Sequence, residues 1–336
     1  GSVLWVRGPA ALNKLQKIVM NESRLRIPLI FGLDVIHGYR NIFPMPLAMA
    51  ASWDPSLVER AQTVAAREAR AAGIHWTFAP MVDIARDARW GRMIEGAGED
   101  PYLGAAIAKA QVRGFQGAYV GAPGHVLACA KHFAGYGAPH GGRDYDSVYL
   151  SDTELYNVYL PPFKAAVDAG VGSFMSAYMD LNDVPATANR FLLRDVLRDS
   201  WGFRGFVVSD ALAVGNLLIQ GFARDRADAA LRGFKAGTNM DMASGTYMEN
   251  IAKMVAGGQI SMAELDEMVR PVLEAKIRLG LFENPYVDEA AVEKILSTPE
   301  HRALTREAAV RSAVLLRNEG GLLPLAKTAN RSIAVI

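Results

Sequence analysis

Short apolar runs alternate with helical segments at least six times along this chain, and this alternation limits its fold more than any other feature. The clearest run, residues 206–208, follows Gly205 and contains only aromatic and β-branched side chains. A run without polar alternation is typical of a strand that is covered on both faces, as in a parallel sheet. The alternation therefore predicts an α/β protein with parallel strands and helical crossovers.

We predict that residues 1–318 form a (β/α)8 TIM-like barrel. The predicted strands are residues 1–6, 27–33, 75–80, 126–133, 173–178, 206–208 and 238–242, and the predicted helices are residues 9–20, 55–73, 101–116, 151–169, 190–200, 225–236 and 261–279. A doubly wound open sheet is the alternative. Its glycine-rich phosphate fingerprint is missing, because Gly96 and Gly98 lie in a loop without a third glycine or a following helix start.

Three helix starts carry cap signals. Asp54 precedes Pro55, which predicts an N-cap followed by proline at the first helical position. Ser151 with Glu154, and residues 261–264, both have the spacing of a capping box, in which the cap and the third residue bond each other's backbone.

Residues 319–336 differ in sequence pattern from the rest of the chain. Residues 319–325 have the composition of a linker, and residues 332–336 form an apolar run with no partner strand after it. We predict that residues 319–336 are the linker and first strand of a second α/β domain, the rest of which is missing. The strand-like run at the very start likewise indicates that the natural N-terminus lies earlier.

Composition excludes several classes of protein. A chain of 336 residues with 51% hydrophobic content can bury one large core, and a net charge of +1 gives no reason to expect nucleic acid as a partner. Cys129 is the only cysteine, so no internal disulfide can form. No apolar run reaches the roughly 18 residues of a membrane span. The histidines are scattered without metal-ligand spacing, so neither a metal nor another cofactor is expected.

Several predicted strands end in charged or polar side chains. Asp34 follows the second strand, Lys131 and His132 lie at the end of the fourth, Tyr178 ends the fifth, and Asp210 follows the sixth. The C-terminal strand ends of a barrel carry its chemistry. One carboxylate among cationic and hydroxyl donors suits a nucleophile that attacks an electrophilic carbon, while the donors bind sugar hydroxyls.

Each of these residues also has a structural interpretation. Asp210 could cap the next helix, Asp34 could cap a loop, Lys131 could be a solvated strand end, and Tyr178 could be a core aromatic with an exposed hydroxyl. The long irregular loop 82–101 adds charged side chains, and loops of this length inside compact domains usually serve function. The charged residues of this loop include Arg92, Glu95 and Glu99.

The motifs around these residues resemble those of the glycoside hydrolase family 3 β-glucosidases. They come in the family's order and cover nearly the whole chain. The matching stretches are residues 32–38 (GLDVIHG), 79–83 (APMVD), 87–92 (DARWGR), 98–101 (GEDP), 131–133 (KHF), 175–178 (MSAY), 201–203 (WGF) and 208–210 (VSD).

The resemblance implies an N-terminal (β/α)8-like barrel and a retaining exo-acting enzyme that hydrolyses terminal non-reducing β-D-glucosyl residues of a β-glucoside or oligosaccharide. It implies that Asp210 is the nucleophile of a covalent glycosyl-enzyme intermediate and that Asp34 grips sugar hydroxyls. Relatives are often periplasmic or secreted, which is the location expected here. The other residues implied to line the sugar subsite are Arg40, Arg92, Lys131, His132, Arg143 and Tyr178.

The sequence departs from the family at three places. Ala211 follows the predicted nucleophile where the family often has tryptophan, Met179 replaces the usual asparagine, and Asp183 stands where glycine is common. A retaining mechanism also needs a second carboxyl about 5 Å from the first. The resemblance implies that this acid/base glutamate comes from the following domain. Glu95, Glu99 and Glu154 are the candidates within the chain, and Glu154 is assigned to a capping box.

Other activities remain open. A β-xylosidase is the nearest variant, and the N-acetylglucosaminidase branch uses an Asp-His pair on the loop after the KHF strand. His140 and Asp144 are on that loop but lack the branch's arrangement. A non-catalytic carbohydrate-binding barrel, in which Asp210 only holds a hydroxyl, is the alternative from another class.

Overall fold

Parallel strands in two three-stranded sheets occupy the centre of the computed structural model, which describes residues 1–326, 332 and 334. The sheet orders are β1-β2-β3 and β4-β5-β8, and β6 and β7 form a separate antiparallel pair. The strands are β1 (Ser2–Leu4), β2 (Ile30–Leu33), β3 (Trp76–Thr77), β4 (Cys129–Phe133), β5 (Ser173–Ser176), β6 (Asp180–Leu181), β7 (Val184–Pro185) and β8 (Phe206–Ser209).

Isolated parallel bridges connect these sheets. Trp76 bridges Leu127, and Met81 bridges Lys131, so β3 and its extension run beside β4. The resulting order is β1-β2-β3-β4-β5-β8, with every neighbouring pair parallel. The prediction of an α/β protein with parallel strands is therefore confirmed.

The two ends of this order approach each other. Beyond β8, Val208 bridges Met240 in parallel. At the other end, Ser2 Oγ lies 3.5 Å from Met240 Sδ, within hydrogen-bonding distance for sulfur. The segment around Met240 thus lies between β8 and β1.

Helices connect the strands. Two segments have π-type hydrogen bonding, Leu155–Tyr159 and Phe191–Ser200, and short 3-10 turns form at Gly91–Glu95, His140–Gly142, Ala186–Ala188 and Glu319–Gly321. The α-helices are α1 (Pro9–Glu22), α2 (Pro46–Ala50), α3 (Pro55–Ala71), α4 (Pro101–Gln116), α5 (Asp152–Glu154), α6 (Pro161–Asp168), α7 (Ala213–Asn216), α8 (Arg226–Ala236), α9 (Thr246–Ala256), α10 (Met262–Arg278), α11 (Val292–Ile295) and α12 (Pro299–Arg311).

Two of the three predicted caps form as expected. Asp54 Oδ1 accepts the Leu57 amide at the start of α3 over 3.1 Å. Ser261 and Glu264 form the complete capping box at the start of α10. Each cap satisfies backbone donors that the first helical turn leaves without partners.

The predicted helix 151–169 is interrupted, which corrects the sequence prediction. The Leu160 amide donates to the Leu155 carbonyl over 2.9 Å, a five-residue step, and α6 begins at Pro161. Proline has no amide hydrogen and its ring displaces the carbonyl four residues earlier, so one regular helix cannot pass through this point. Ser151 Oγ accepts the Glu154 amide, but the return bond from the Glu154 side chain does not form in the described part of the chain.

The predicted strand 238–242 forms only in part. Only Met240 makes a strand-like bridge, because the Asn239 side chain takes the place of a backbone partner: its Oδ1 accepts the Val207 amide over 2.8 Å. The predicted strand 75–80 shortens to β3, and residues 190–200 form a π-type rather than a regular helix.

The core beneath the strand ends is aromatic. Trp76 is fully buried, packs edge-on against Phe78 and Phe206 at 4.8 and 5.1 Å, and donates its indole N–H to Ser173 Oγ. This packing fixes β3, β5 and β8 relative to one another, and with them the side chains at their C-terminal ends.

The C-terminal residues are described only in part. A 3-10 turn spans Glu319–Gly321, and Leu322 is exposed. The predicted strand 332–336 lies outside the described residues apart from Ser332 and Ala334. In residues 1–326, no helix is long and apolar enough to cross a membrane.

Candidate functional site

Asp210 directly follows β8 and is 7% exposed. Its Oδ1 accepts the Ala211 amide over 2.7 Å, whereas Oδ2 is buried and accepts no well-aligned hydrogen bond from the described residues. The next helix, α7, has Leu212 at its N-cap, without a side-chain cap bond. The interpretation of Asp210 as a helix cap is therefore wrong, and one of its oxygens is left for another partner.

His132, at the C-terminal half of β4, lies between two carboxylates. Its backbone amide and its Nδ1 each lie 2.9 Å from Asp83 Oδ2, and its Nε2 lies 3.5 Å from Asp210 Oδ2. Because Asp83 Oδ2 already accepts from the amide, Nδ1 carries the proton that it donates to the same oxygen. In the neutral ring Nε2 is then an acceptor. Nε2 and Asp210 Oδ2 are therefore two acceptors to which the hydroxyl of a ligand could donate.

Lys131 connects the site to β2. Its Nζ lies 3.0 Å from Asp34 Oδ1, and the lysine side chain is 5% exposed. The indole Nε1 of Trp5, which follows β1, donates to Asp34 Oδ2 over 3.0 Å. Strand ends β1, β2, β4 and β8 therefore bring Trp5, Asp34, Lys131, His132 and Asp210 to the same end of the parallel strands.

Arg92 reaches the site from the 3-10 turn after β3. It forms a two-bond ion pair with Glu95 at 2.8 and 3.1 Å, and its guanidinium lies over the Tyr136 ring at 5.5 Å. The Glu95 carboxylate is thus engaged in an ion pair with a guanidinium, so it is poorly placed to donate a proton to a substrate.

Burial and charge oppose each other at Asp210. Burial raises the pKa of its carboxyl above the ordinary value, while the Ala211 amide bond, the charge of Lys131 and the Tyr178 hydroxyl lower it. The nearby charge of Arg92 acts in the same downward direction. The cations therefore favour the ionised form that a nucleophile needs, against the desolvation that makes it reactive.

Burial also shifts the pKa values of His132, which lies beside Asp210, and of Asp83, which bonds His132. Burial raises the pKa of Asp83 to about 7, against the His132 amide bond that lowers it. The pKa of His132 is well below its ordinary value because of burial and the charges of Arg92 and Lys131. Asp83 Oδ1, buried without a partner in the described structure, is the oxygen on which a proton would sit.

Tyr178 also belongs to this cluster. Burial and the Asp210 charge raise the pKa of its hydroxyl, which keeps it protonated as a donor. Its ring packs edge-on against Tyr145 at 4.8 Å.

Two predicted subsite residues lie further out. Arg143 is exposed and pairs with Asp146, Nη2 to Oδ2 at 2.5 Å. Arg40 is exposed, and its backbone amide donates to Glu68. Arg40 does line a groove of about 590 Å³ that includes Asp34 and His37. The structure thus brings together six of the eight predicted residues: Asp34, Arg92, Lys131, His132, Tyr178 and Asp210.

The loop after β4 does not present an Asp-His pair. Asp144 Oδ1 accepts from Trp90 Nε1 at 2.8 Å and from the Tyr136 hydroxyl at 2.6 Å. In residues 1–326, His140 forms no hydrogen bond or ion pair with Asp144. Asp144 anchors its loop instead.

Sequence reasoning missed two residues of the site. Asp83 lies in the APMVD motif. The signal that could have identified it is its position just after the predicted strand 75–80. Trp5 carried no such signal, because it lies inside the predicted strand 1–6. In the described part of the chain, no group of three or more His, Cys, Asp or Glu side chains could hold a metal ion.

Comparisons with known proteins identify the family to which the chain belongs. Residues 6–275 match the model for the glycosyl hydrolase family 3 N terminal domain. A periplasmic beta-glucosidase of Salmonella typhimurium is 42% identical over 97% of this chain and 43% of its own length. A beta-xylosidase of Formosa agariphila is 40% identical over 94% of this chain and 46% of its own length.

A similar crystal structure supports the same family. The beta-glucosidase of Listeria innocua in complex with glucose superposes with a TM-score of 0.94 at 42% identity, covering 97% of this chain and 46% of that one. The chain spans less than half the length of these relatives. The family resemblance of the motifs is thus confirmed over most of the sequence, and the chain belongs to glycosyl hydrolase family 3.

Proposed function

We propose that this chain carries the nucleophile and the sugar subsite of a retaining exo-acting β-glycosidase that acts on terminal β-D-glucosyl residues. The observation that carries the proposal is the state of Asp210: it is buried at a strand end, Lys131, Arg92 and Tyr178 act to lower its pKa, and one of its oxygens has no aligned partner. The beta-glucosidase names of the relatives support glucose as the sugar.

In the proposed reaction, one Asp210 oxygen attacks the anomeric carbon of the sugar. The bond from that carbon to the leaving-group oxygen breaks, and an acid gives this oxygen a proton. Water, deprotonated by the same group acting as a base, then attacks the anomeric carbon and releases Asp210. Two displacements retain the configuration of the sugar.

The sugar hydroxyls have partners in the same cluster. An Asp34 carboxylate can accept from two adjacent hydroxyls, and Lys131 and Arg92 can donate to sugar oxygens. A hydroxyl donor also suits the paired acceptors His132 Nε2 and Asp210 Oδ2, which face each other at 3.5 Å. Arg40 and Arg143 remain predicted contacts at the rim.

The acid/base is proposed to come from a following domain. The other carboxylates around the cluster are paired or enclosed: Asp34 pairs with Lys131 and Trp5, Glu95 pairs with Arg92, and Asp83 is 2% exposed and bonds His132. The relatives are more than twice as long as this chain, which leaves room for such a domain after the proposed barrel of residues 1–318.

The parallel order also supports a closed barrel. The contact between Ser2 and Met240 brings the first strand next to the segment beyond β8. If the strands close in this way, a Ser2→Cys, Met240→Cys double variant forms a disulfide under mild oxidation, whereas an open sheet would leave both thiols free.

Labelling with an activated 2-deoxy-2-fluoroglucoside tests the function. Intact mass before and after incubation, followed by peptide mapping, should show one fluoroglucosyl adduct on Asp210. The activated leaving group lessens the need for an acid, so the 336-residue chain can be compared with a version that includes the proposed following domain. A folded long version without an adduct would favour the carbohydrate-binding alternative.

A β-xylosidase is a second candidate because of the Formosa agariphila relative. Xylose lacks the hydroxymethyl group of glucose, so kcat/KM for matched aryl β-glucosides and β-xylosides separates the two. A periplasmic or secreted location is proposed from the Salmonella relative's name, and fractionation of the source cells would test it.

A further inference from the structure

Trp5 is the nearest described partner of Asp34 on the side away from Lys131. Its indole N–H donates to Asp34 Oδ2, while Lys131 Nζ holds Oδ1, both over 3.0 Å. The carboxylate is thus fixed from two sides. Trp5 has a neutral donor, so it sets the orientation of Asp34 without adding a second positive charge.

The backbone and exposure of Trp5 are unusual for a tryptophan. Its φ is 59°, in the left-handed region that bulky residues rarely adopt. The residue is 53% exposed, so much of its apolar ring lies in solvent. Its amide donates to the Gly32 carbonyl over 3.0 Å, which ties this conformation to β2. Unfavourable conformations of this kind cluster at ligand sites.

The other aromatic rings of the site lie around Asp210. Tyr178 and Tyr145 pack against each other there, and the residue after Asp210 is Ala211, whose methyl group offers little apolar surface. Next to Asp34, the exposed ring of Trp5 offers aromatic surface to a ligand, in addition to the partly buried ring of Tyr39 in the groove that Asp34 lines.

We propose that Trp5 is a substrate-contacting residue that forms an aromatic wall of the sugar subsite beside Asp34. A pyranose has hydroxyls around its edge and C–H groups on its faces, so an indole ring packs against a face while Asp34 accepts from the edge. Trp5 therefore has two roles: its N–H orients Asp34, and its ring selects a flat, apolar sugar face. The inference rests on the proposed function.

Glucose binding followed by tryptophan fluorescence tests both roles. The full chain, including the proposed following domain, is compared with Trp5→Phe, Trp5→Ala and the control Trp53→Phe. Trp53 is a matched control because it is 76% exposed and also has a left-handed φ, 53°, but it lies in the turn before α3.

Trp5→Phe should raise the glucose Kd about tenfold through loss of the N–H donor, and Trp5→Ala about fiftyfold because the ring is lost as well. The glucose-dependent change in emission should largely disappear in both. Trp53→Phe should keep the emission change and a Kd within about twofold of the wild type.

Three outcomes separate the possibilities. A Trp5→Phe protein with wild-type unfolding temperature, Kd and emission change would overturn the role of Trp5, even if Trp5→Ala fails to fold. Equal weakening by Trp53→Phe would also overturn it, because the effect would not be local. A wild type that neither responds to glucose nor takes a fluoroglucosyl adduct on Asp210 would overturn the proposed function, and the role of Trp5 with it.

Discussion

Two groups of buried carboxylates in this molecule differ in how completely their oxygens are hydrogen-bonded. Glu68, in α3, is fully buried and accepts four bonds: Oε2 from the amides of Arg40 and Asn41, and Oε1 from the Ser297 amide and His301 Nδ1, all at 2.8–2.9 Å. Every donor comes from the protein, so the group needs nothing further.

Asp83 and Asp210 are the opposite case. Each is buried, and each keeps one oxygen without an aligned hydrogen bond in the described structure. A buried polar atom without a partner costs free energy, so its retention is expected where a ligand or a proton completes the site. Full pairing is thus expected of a carboxylate that stabilises the fold, and incomplete pairing of one that serves the proposed site.

The position of Glu68 supports this division. It joins the loop after β2, which begins at Asp34, to residues 297–301, a segment that ends in the first turn of α12. That segment lies beyond residue 275, where the family match ends. Glu68 therefore fixes the C-terminal helices to the loop that follows Asp34, and in the described structure it forms no hydrogen bond with Asp34 or Asp210 themselves.

The largest expected effect is that of Asp210→Asn. The amide cannot act as a nucleophile, so labelling by the fluoroglucoside should slow by at least about a thousandfold. Stability should not fall, because the change removes a buried charge with an incompletely paired oxygen. Mass spectrometry and thermal unfolding measure the two effects. Labelling at the wild-type rate would assign the nucleophile elsewhere.

Glu68→Gln should show the reverse pattern. The amide places an N–H₂ group against backbone and imidazole donors, so the free energy of unfolding should fall by about 3 kcal/mol. Labelling of Asp210 at a temperature where the variant stays folded should change little. Denaturant unfolding measures the free energy of unfolding, and labelling kinetics measure the reactivity of Asp210. A stable Glu68→Gln protein would break the comparison between the two groups.

Asp83→Asn should have an intermediate effect on reactivity. Asparagine can still accept from His132, but the negative charge and the proton site are lost, and a lost interaction of about 1 kcal/mol slows labelling about fivefold. A merely structural Asp83 would lower stability and leave the pH dependence of labelling unchanged. A shifted pH profile of labelling for Asp83→Asn, without a loss of stability, is the expected result.

The last expected effect is a pH dependence of stability. Because the folded pKa of Asp83 is raised from 3.8 to about 7, the folded protein binds more protons than the unfolded chain between these values. Its contribution therefore makes the protein less stable as pH rises through this window. The fall in unfolding temperature from pH 5 to pH 7.5 should be smaller in Asp83→Asn than in the wild type. An equal fall would show that Asp83 titrates normally.

Local sequence patterns predicted the elements that depend on neighbouring residues. The capping box at Ser261 and Glu264, the N-cap Asp54 and strand β8 form where the sequence places them. Each depends on chemistry within a few residues: a short polar side chain before a helix, or an apolar run without alternation. The failure at residues 238–242 has a long-range cause, because the Asn239 side chain replaces a strand partner of Val207, whereas the helix break at Pro161 has a local one.

The sequence by itself determined the parallel α/β class, the family and six of the residues that meet at the strand ends, because strand period, strand-end position and motif order are properties of the chain. Only the tertiary structure decided which buried carboxylates are fully paired. The four donors to Glu68 come from residues up to 233 positions away, and Trp5 meets Asp34 across 29. Whether a buried oxygen has a partner depends on segments that folding alone brings together.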